Sequence, residues 1–311
     1  VGNMSLRSLN IPVIDFVGKR KYAMIFSAIL LIVSIASLSF QGLKFGIDFT
    51  GGTLIELGYE KTADLEDIRF KLSEGDFKGT NVQYFGSDTE VLIQLEPQEV
   101  SSAKLSSSII RMLGDGIDVR RVEFVGPKVG EELTNDGGLA MLYALIGILI
   151  YVAFRFEYRF ALGSITALVH DVIITLGVFS ILQIEFDLTV LAAILAVIGY
   201  SLNDTIVVFD RIRENFLSTR KLEPMPIVNE ALNQTLSRTL MTSLTTLLVL
   251  FALFYLGGEV IHSFAGALLI GVLIGTYSSI YVASSMILAL GISKEDMLPS
   301  EKEKKEIDAR P

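Results

Sequence analysis

The sequence predicts a polytopic α-helical membrane protein with a single soluble α/β domain. Six apolar runs carry this prediction, because each is near or above the roughly 17 residues that a helix needs to cross a bilayer. They comprise residues 22–40, 138–154, 160–182, 188–209, 240–256 and 263–290. The composition agrees, since 51% of the 311 residues are hydrophobic and the mean hydropathy is +0.54. Soluble domains of this size are less apolar over such long runs.

Lysine and arginine mark alternate ends of these runs, which sets the predicted orientation. They are Lys19, Arg20 and Lys21 before the first run, Arg155 and Arg159 between the second and third, and Arg211, Arg213, Arg220, Lys221 and Arg238 between the fourth and fifth. Loops 183–187 and 257–262 contain neither residue. Because cytoplasmic flanks carry the excess of positive charge, both termini are predicted to be cytoplasmic and residues 41–135 to lie outside. No small-residue cleavage site follows residues 22–40, so we interpret this run as a retained signal anchor.

Residues 41–135 are the one large soluble segment, and their hydrophobic period is readable. Alternation predicts strands at residues 53–59, 81–86, 91–95 and 119–125, and helical spacing predicts helices at 63–73 and 100–113. A turn containing Ser87 and Asp88 joins the second and third strands. The order βαββαβ predicts a ferredoxin-like α/β domain between the first and second membrane helices.

The remaining segments are polar. Residues 1–21 form a short cytoplasmic lead, and residues 291–311 form a charged cytoplasmic tail that we predict to be disordered. Within the unit 138–290, Pro224 and Pro226 interrupt the stretch 210–238. We interpret this stretch as two short helices at the cytoplasmic interface, because apolar residues occupy one side of each half.

Asp204 is the residue of the fourth run that costs the most free energy to place in a membrane. A carboxyl at membrane depth costs roughly 2.5 to 3.5 kcal/mol on insertion scales, so it needs a partner, a water path or a proton. Small residues share one face of the same helix, at Ala192, Ala196, Gly199 and Asn203, where another helix can approach closely. Asp204 is therefore expected to face a helix bundle and to bind a proton or another ion. The alternative is a structural aspartate that is hydrogen-bonded to a neighbouring helix.

Two further ionisable residues lie near the middle of the third run. His170 and Asp171 are an expensive pair at this depth, and each group can offset the cost of the other. We predict that they support the proton path of Asp204. The alternative is that His170 only helps to pack the helices, with its polar atoms satisfied by neighbouring groups.

Arg238 begins a polar stripe that enters the fifth run. Arg238, Thr242 and Thr245 follow one helical face, which predicts a hydrated path with Arg238 at its mouth. Because arginine does not lose its proton, Arg238 is expected either to tune the pKa of a carboxylate or to pair with it. The alternative is a cytoplasmic anchor.

The last run carries small residues at every fourth position. They are Ala267, Gly271, Gly275, Ser279 and Ala283. This spacing predicts close helix packing at Gly271 and Gly275, as it does at Gly199 in the fourth run, and by itself it indicates no chemistry.

The sequence lacks the residue patterns that would predict an enzyme. It has no cysteine, which excludes disulfides, thiolate metal sites and cysteine nucleophiles. His-Glu-x-x-His, phosphate-loop and Gly-x-Ser-x-Gly motifs do not occur, and the glycines expected at an intramembrane aspartyl protease site do not surround Asp204. We therefore predict no cofactor, no metal site and no covalent catalysis. The net charge of −9 argues against nucleic acid as a partner.

Several stretches resemble the smaller membrane subunits of the SecD/SecF protein-export family, within the resistance-nodulation-division superfamily. They are FGIDFTGGT at residues 45–53, VGPKVGEEL at 125–133, YVAFRFE at 151–157, HDV at 170–172, IGYSLNDTIVVFDRIREN at 198–215 and LSRTLMTSLTTL at 236–247. Taken together these stretches are highly specific. Phe209 stands where the family often has serine, and this departure does not touch the predicted site.

The resemblance implies a bundle in which two six-helix halves pair, with a SecD subunit as the obligate other half. It implies association with the SecYEG channel and YajC, a translocating polypeptide as substrate, and residence in the bacterial inner membrane with residues 41–135 in the periplasm. It also implies that Asp204 and Arg238 belong to a proton path. The expected function is to use the proton motive force to assist late export and release of polypeptides.

Two other functions stay open from the residues alone. One is half of a small-molecule or lipid exporter of the same superfamily, although such pumps usually carry external domains larger than residues 41–135 allow. The other is a structural subunit of the export complex, with the titrating groups supplied by SecD.

Overall fold

The chain folds as a bundle of long helices with a small α/β domain inserted after the first. A computed structural model describes residues 13–75, 77, 80–97, 102–114, 116–155, 157–219 and 223–294. In chain order the elements are α1 (Arg20–Phe40), β1 (Lys44–Phe45), α2 (Ile47–Thr50), β2 (Gly52–Tyr59), α3 (Leu65–Glu74), β3 (Asn81–Phe85), β4 (Ser87–Leu95), α4 (Ser102–Leu113), β5 (Ile117–Val125), α5 (Pro127–Arg155), α6 (Tyr158–Leu182), β6 (Glu185–Phe186), α7 (Leu188–Ser218), α8 (Pro224–Leu256) and α9 (Glu259–Ser278). A π-helical turn, Ser279–Ala283, and α10 (Ser284–Ala289) continue α9. Within the described residues, six helices are long and apolar enough to cross a membrane, which confirms the predicted number.

Helices α6 and α7 form the interior of the bundle. In each of them 56% of the most apolar stretch is buried, against 11% in α1 and in α5. Helix α9 contacts both interior helices, α1 packs on α6, and α8 packs on α7 and α9. Four fully buried phenylalanines, Phe160, Phe179, Phe209 and Phe216, help to fill the bundle. The two interior helices are therefore the ones that carry the predicted aspartates.

Glycines in α9 allow it to approach α7 closely. A Cβ atom added to Gly271 would overlap the side chain of Val197, and one added to Gly275 would lie 3.1 Å from the Cβ atom of Ser201. Neither position has room for a larger residue without movement of α7. The contact between α7 and α9 thus depends on backbone approach, as in other small-residue helix pairs in membranes.

The small-residue face of α7 is exposed in this chain. Ala192, Ala196, Gly199 and Asn203 all lie on the surface of the bundle. A Cβ atom added to Gly199 would meet no atom of the described part of the chain within 4 Å. Because small residues let helix backbones approach in a bilayer, this face has the shape to receive a helix of another chain.

The stretch 210–238 differs from the predicted pair of separate short helices. Helix α7 continues to Ser218, and α8 is one helix from its first residue, Pro224, to Leu256. Pro224 and Pro226 both lie in the first turn of α8, where the backbone N–H groups have no helical acceptor and proline loses nothing. The two prolines therefore begin α8 and do not interrupt it.

Helix α8 holds the described part of the polar lead. The Asn229 side-chain oxygen accepts from the backbone N–H groups of Phe16 (2.8 Å) and Val17 (3.2 Å), and that of Asn233 accepts from Ile14 N–H (2.8 Å). The amide groups of Asn229 and Asn233 donate in turn to the Ile14 carbonyl. Residues 1–12 lie outside the described residues, and so do residues 295–311 of the tail predicted to be disordered.

The α/β domain, residues 52–125, contains a four-stranded antiparallel sheet in the order β3-β4-β2-β5. Helices α3 and α4 cover one face, where Ile55, Ile93 and Ile109 are fully buried in a common core. The elements follow the predicted order. The turn between β3 and β4 differs from the prediction, because Gly86 with φ of 75° makes it and β4 already begins at Ser87.

Two short strands join the α/β domain to the bundle. Strand β1 pairs in parallel with β6, with Lys44 opposite Glu185. Burial raises the pKa of the Glu185 carboxyl, Lys44 opposes the shift, and the carboxylates of Asp187 and Asp48 add to it. The folded protein therefore binds this proton more tightly than the unfolded chain does. The resulting stability is complete below the ordinary pKa of 4.5 and is lost as the pH rises through the folded-state value.

The unfolding temperature of the Glu185→Gln variant is expected to fall less than that of the wild type as the pH rises, because glutamine stays neutral. The measurement is the unfolding temperature in detergent between about pH 5 and about pH 8, over which the wild type should lose more than the variant. The exposed Glu60→Gln is the control and should follow the wild type. Parallel curves for all three proteins would contradict this account of Glu185.

Candidate functional site in the helix bundle

Asp171 on α6 joins three helices through its carboxylate. Its Oδ2 atom accepts from the hydroxyls of Ser201 on α7 (2.6 Å) and Ser278 on α9 (2.7 Å). Its Oδ1 atom lies 2.9 Å from Nδ1 of His170. Asp171 is only 1% exposed, so these partners replace the water that a carboxylate needs. The close approach of Gly275 to Ser201 brings both serines within reach.

The network continues from His170 to helix α1. Nε2 of His170 lies 3.2 Å from the Ser27 hydroxyl, which lies 3.0 Å from the Tyr277 hydroxyl. Tyr277 donates to the Ala23 carbonyl at 2.6 Å, and its ring stacks on the imidazole of His170. Together with Asp171 and its two serines, these residues form what we call the closed network, which links α1, α6, α7 and α9.

Asp204 is buried like Asp171 but is not satisfied in the same way. It is 4% exposed, and among the described residues its Oδ2 atom has no hydrogen-bond partner. It follows Ser201 of the closed network by less than one turn of α7. An unsatisfied buried oxygen costs on the order of 1 to 3 kcal/mol, and more for a charged group. A proton, a water molecule or a donor from another chain would remove this cost.

Arg238 on α8 lies near Asp204 and borders an open cleft. Its charge acts on the Asp204 carboxyl, although the two groups form no direct ion pair. Asn203 and Arg238 line a cleft of about 550 Å³ between α7 and α8. Thr242 lies one turn further along α8, and its hydroxyl donates to the Arg238 carbonyl at 3.1 Å. That hydroxyl is therefore satisfied within its own helix.

The structure divides the predicted site residues into two groups. His170 and Asp171 belong to the closed network, whereas Asn203 and Arg238 line the cleft between α7 and α8 and Asp204 lies buried beside it. Sequence analysis missed four members of the closed network, namely Ser27, Ser201, Tyr277 and Ser278. Serines in membrane helices commonly bond to their own backbone, so their presence alone was no signal. Helical spacing could have indicated two of them. Ser201 lies three residues before Asp204, and Ser278 lies three residues after Gly275, so each shares a helix face with a residue that the sequence singles out.

Six apolar helices around buried ionisable side chains define a multi-pass membrane protein with a polar site inside its bundle. The chain belongs to the SecD/SecF family of protein export membrane proteins. The C-terminal SecD/SecF family model matches residues 106–293, and the SecD/SecF GG motif matches residues 36–63. Membership and the six helices make it a multi-pass protein of the bacterial inner membrane.

Curated relatives cover almost the whole chain. Protein translocase subunit SecF of Vibrio alginolyticus is 56% identical over 96% of this chain and 97% of its own length. The protein of the same name from Pseudomonas aeruginosa is 47% identical over 98% of this chain and its full length. A crystal structure of the translocon-associated membrane protein SecDF from Thermus thermophilus is 41% identical, covers 90% of this chain and has a TM-score of 0.83. The chain spans 39% of that SecDF chain.

Ser278→Ala is expected to destabilise the bundle by about 1.5 to 3 kcal/mol, because the Asp171 carboxyl loses one of its two serine donors. The measurement is the free energy of unfolding in detergent micelles. Ser279→Ala is the matched control, since the neighbouring Ser279 hydroxyl donates to the Thr276 carbonyl within its own helix. Equal effects of the two substitutions would show that the closed network does not stabilise the fold.

Proposed function

We propose that the chain is the SecF-type subunit of a Sec translocase accessory complex. With SecD it uses the proton motive force to assist the late export and release of polypeptides that emerge from SecYEG. The names of its full-length relatives and the likeness to SecDF support the translocation role. The proton-driven step rests on Asp204, a carboxylate that is buried at membrane depth without a complete set of partners.

The energetic argument concerns how a charge on Asp204 biases the bundle. Outside the membrane there is no ATP, so work on a polypeptide there needs the ion gradient, which yields about 2.3 kcal/mol per charge and 100 mV. Protonation of Asp204 removes a buried charge, and this changes the relative free energy of two packings of the helices. Because Asp204 lies on the central helix α7, such a change reaches α6, α8 and α9 together.

Each predicted residue then has a distinct role in this mechanism. Asp204 takes up and releases the proton, and Arg238, together with a carboxylate of the SecD half, sets how readily it does so. Asn203 borders the approach to Asp204 from the cleft, and Thr242 continues the polar side of α8 one turn beyond Arg238. Asp171 supports the path by accepting from the Ser201 hydroxyl, which holds α6 against α7, and His170 supports it through its contact with Asp171.

Asp204→Asn is expected to lower the gradient-dependent part of export on the order of tenfold or more, because the side chain no longer alternates between charged and neutral forms. The measurement is export of a secreted polypeptide into membrane vesicles that contain SecD and SecYEG, with and without a proton gradient, together with proton uptake. Asp204→Glu should retain part of the activity, and the exposed Asp136→Asn should retain all of it.

Assembly of the variant with SecD is checked by copurification. Unchanged export by an assembled Asp204→Asn complex would overturn the proton mechanism and favour a purely structural subunit. Protection of growing cells from a small molecule, with no effect on export, would favour an exporter of the same superfamily. The proposed mechanism contains no covalent catalysis.

The exposed small-residue face of α7 is the proposed contact with SecD. Ala192, Ala196, Gly199 and Asn203 form a surface into which a helix can pack closely, and Asp204 lies behind it. This arrangement is suited to a second half that adds its own carboxylate near Asp204. SecYEG and YajC are the further partners that we infer for the assembled complex.

Gly199→Leu is expected to weaken copurification with SecD on the order of tenfold, because leucine holds the partner helix away from α7. Gly147→Leu is the matched control, since a Cβ atom at Gly147 on α5 also meets nothing within 4 Å of this chain. Equal recovery of SecD with both variants would place the contact elsewhere. The thermal stability of each purified chain should be unchanged.

The proposed orientation has both termini in the cytoplasm and the α/β domain in the periplasm. The alternation of lysine and arginine along the loops supports it. The strand order β3-β4-β2-β5 with two helices on one face supports a ferredoxin-like fold for that domain. The six helices are then one half of a resistance-nodulation-division bundle.

A further inference from the structure

The first turn of α7 is completed by a residue from a distant part of the chain. The Asp187 side chain accepts from Val190 N–H at 2.8 Å, and its carbonyl accepts from Leu191 N–H at 3.1 Å. Leu188 N–H donates instead to Oδ2 of Asp48, at 3.0 Å across 140 positions of sequence. A carboxylate at this place satisfies a free N–H group and also complements the positive end of the helix dipole.

The backbone around Asp48 is fixed to the backbone just before α7. Asp48 lies in α2, which follows β1, and β1 pairs with β6 immediately ahead of α7. Gly46 N–H donates to the Phe186 carbonyl at 2.9 Å. The rings of Phe45, Phe49 and Phe186 lie 5.6 to 5.9 Å apart and fill the space between the two segments.

On its other side α2 is fixed to the α/β domain and to α5. Gly51 has φ of 71°, and a Cβ atom there would lie 2.9 Å from Cα of Pro127, the first residue of α5. Gly52 is the first residue of β2 and has φ of 134°, and a Cβ atom there would overlap the Leu95 carbonyl. These glycines give a direct connection with close backbone contacts and no intervening linker. Other residues at both positions would be strained and would force the elements apart.

We propose that Asp48 is a positioning residue that couples the outer end of α7 to the α/β domain. The inference rests on the proposed function, in which α7 moves when Asp204 changes its charge. Through the hydrogen bond to Leu188, a displacement of α7 pulls on α2, and α2 carries it to the first strand of the sheet. The same four-residue helix also contacts α5, so the α/β domain moves as a body with the ends of two membrane helices.

Asp48 and Asp187 offer a matched comparison. Both carboxylates accept from backbone N–H groups in the first turn of α7, but only Asp48 belongs to the segment that joins the sheet. Asp187→Ala therefore weakens the helix end without breaking the connection. Asp48→Ala removes the hydrogen bond between α2 and α7 while β1 stays paired with β6, and Asp48→Asn keeps a weaker acceptor at the same place.

The first experiment measures the connection at rest, independently of any role of Asp204. Because the chain has no cysteine, two introduced thiols can carry spin labels without removal of native ones. Labels at Glu60 in the α/β domain and Leu182 at the exposed end of α6 report the distance between domain and bundle in the complex with SecD. Asp48→Ala is expected to broaden this distance distribution, Asp48→Asn to broaden it less, and Asp187→Ala to leave it like the wild type. Equal widths in all four proteins would overturn the inference.

The second experiment measures function in vesicles that contain SecD and SecYEG. Asp48→Ala is expected to retain proton uptake while gradient-dependent export falls on the order of tenfold, the loss expected for a charge-assisted hydrogen bond. Loss of both activities in Asp204→Asn, with this separation in Asp48→Ala, supports the inference. Full export by Asp48→Ala would overturn it, whereas full export by Asp204→Asn would overturn the proposed function. If Asp48→Ala does not accumulate, Asp48→Asn is compared with Asp187→Asn, and equal distance distributions would overturn the inference.

Discussion

The constraint that organises this molecule is the cost of carboxylates inside an apolar bundle. Asp171 and Asp204 lie on adjacent interior helices, and each has to be relieved of a charge or supplied with donors. For Asp171 the chain itself provides a histidine and two serines from α7 and α9. For Asp204 the described residues leave the Oδ2 atom without a partner and place Arg238 nearby. Asp171 thus has its hydrogen-bond partners within the chain, whereas Asp204 has no complete set among the described residues.

Small residues serve two separate purposes in the same bundle. At Gly271 and Gly275 they let α9 approach α7, which brings Ser278 and Ser201 to the Asp171 carboxylate. At Gly199, in contrast, an added Cβ atom would have no atom of the described residues within 4 Å. The same pattern of small residues therefore occurs in the contact between α7 and α9 and on the exposed face of α7. Only the three-dimensional arrangement of the helices distinguishes the two.

The sequence was sufficient for the features that depend on local pattern. Apolar length predicted the six helices, and hydrophobic period predicted the strand and helix order of the α/β domain. The cost of placing charge in a membrane singled out Asp204, Asp171 and His170, all of which are buried in the bundle. It was insufficient where a contact joins distant segments, as between Asp48 and Leu188, or where a polar group has several equivalent uses, as for Ser27 and Tyr277. The prolines at the start of α8 show a third limit, because proline either begins or ends a helix and only the continuing backbone distinguishes these outcomes.

The length of α7 has a consequence for the surroundings of Asp204. With 31 residues the helix is about 46 Å long, against about 30 Å for the hydrocarbon layer, so part of it stands in water. The polar cleft beside Asn203 and Arg238 continues along that end, past Asp210 and Gln234. Towards the other end the bundle side of α7 is apolar, with Ile194 and Val197 fully enclosed. The buried Asp204 carboxyl therefore lies between a polar cleft at one end of the helix and tightly packed apolar side chains at the other.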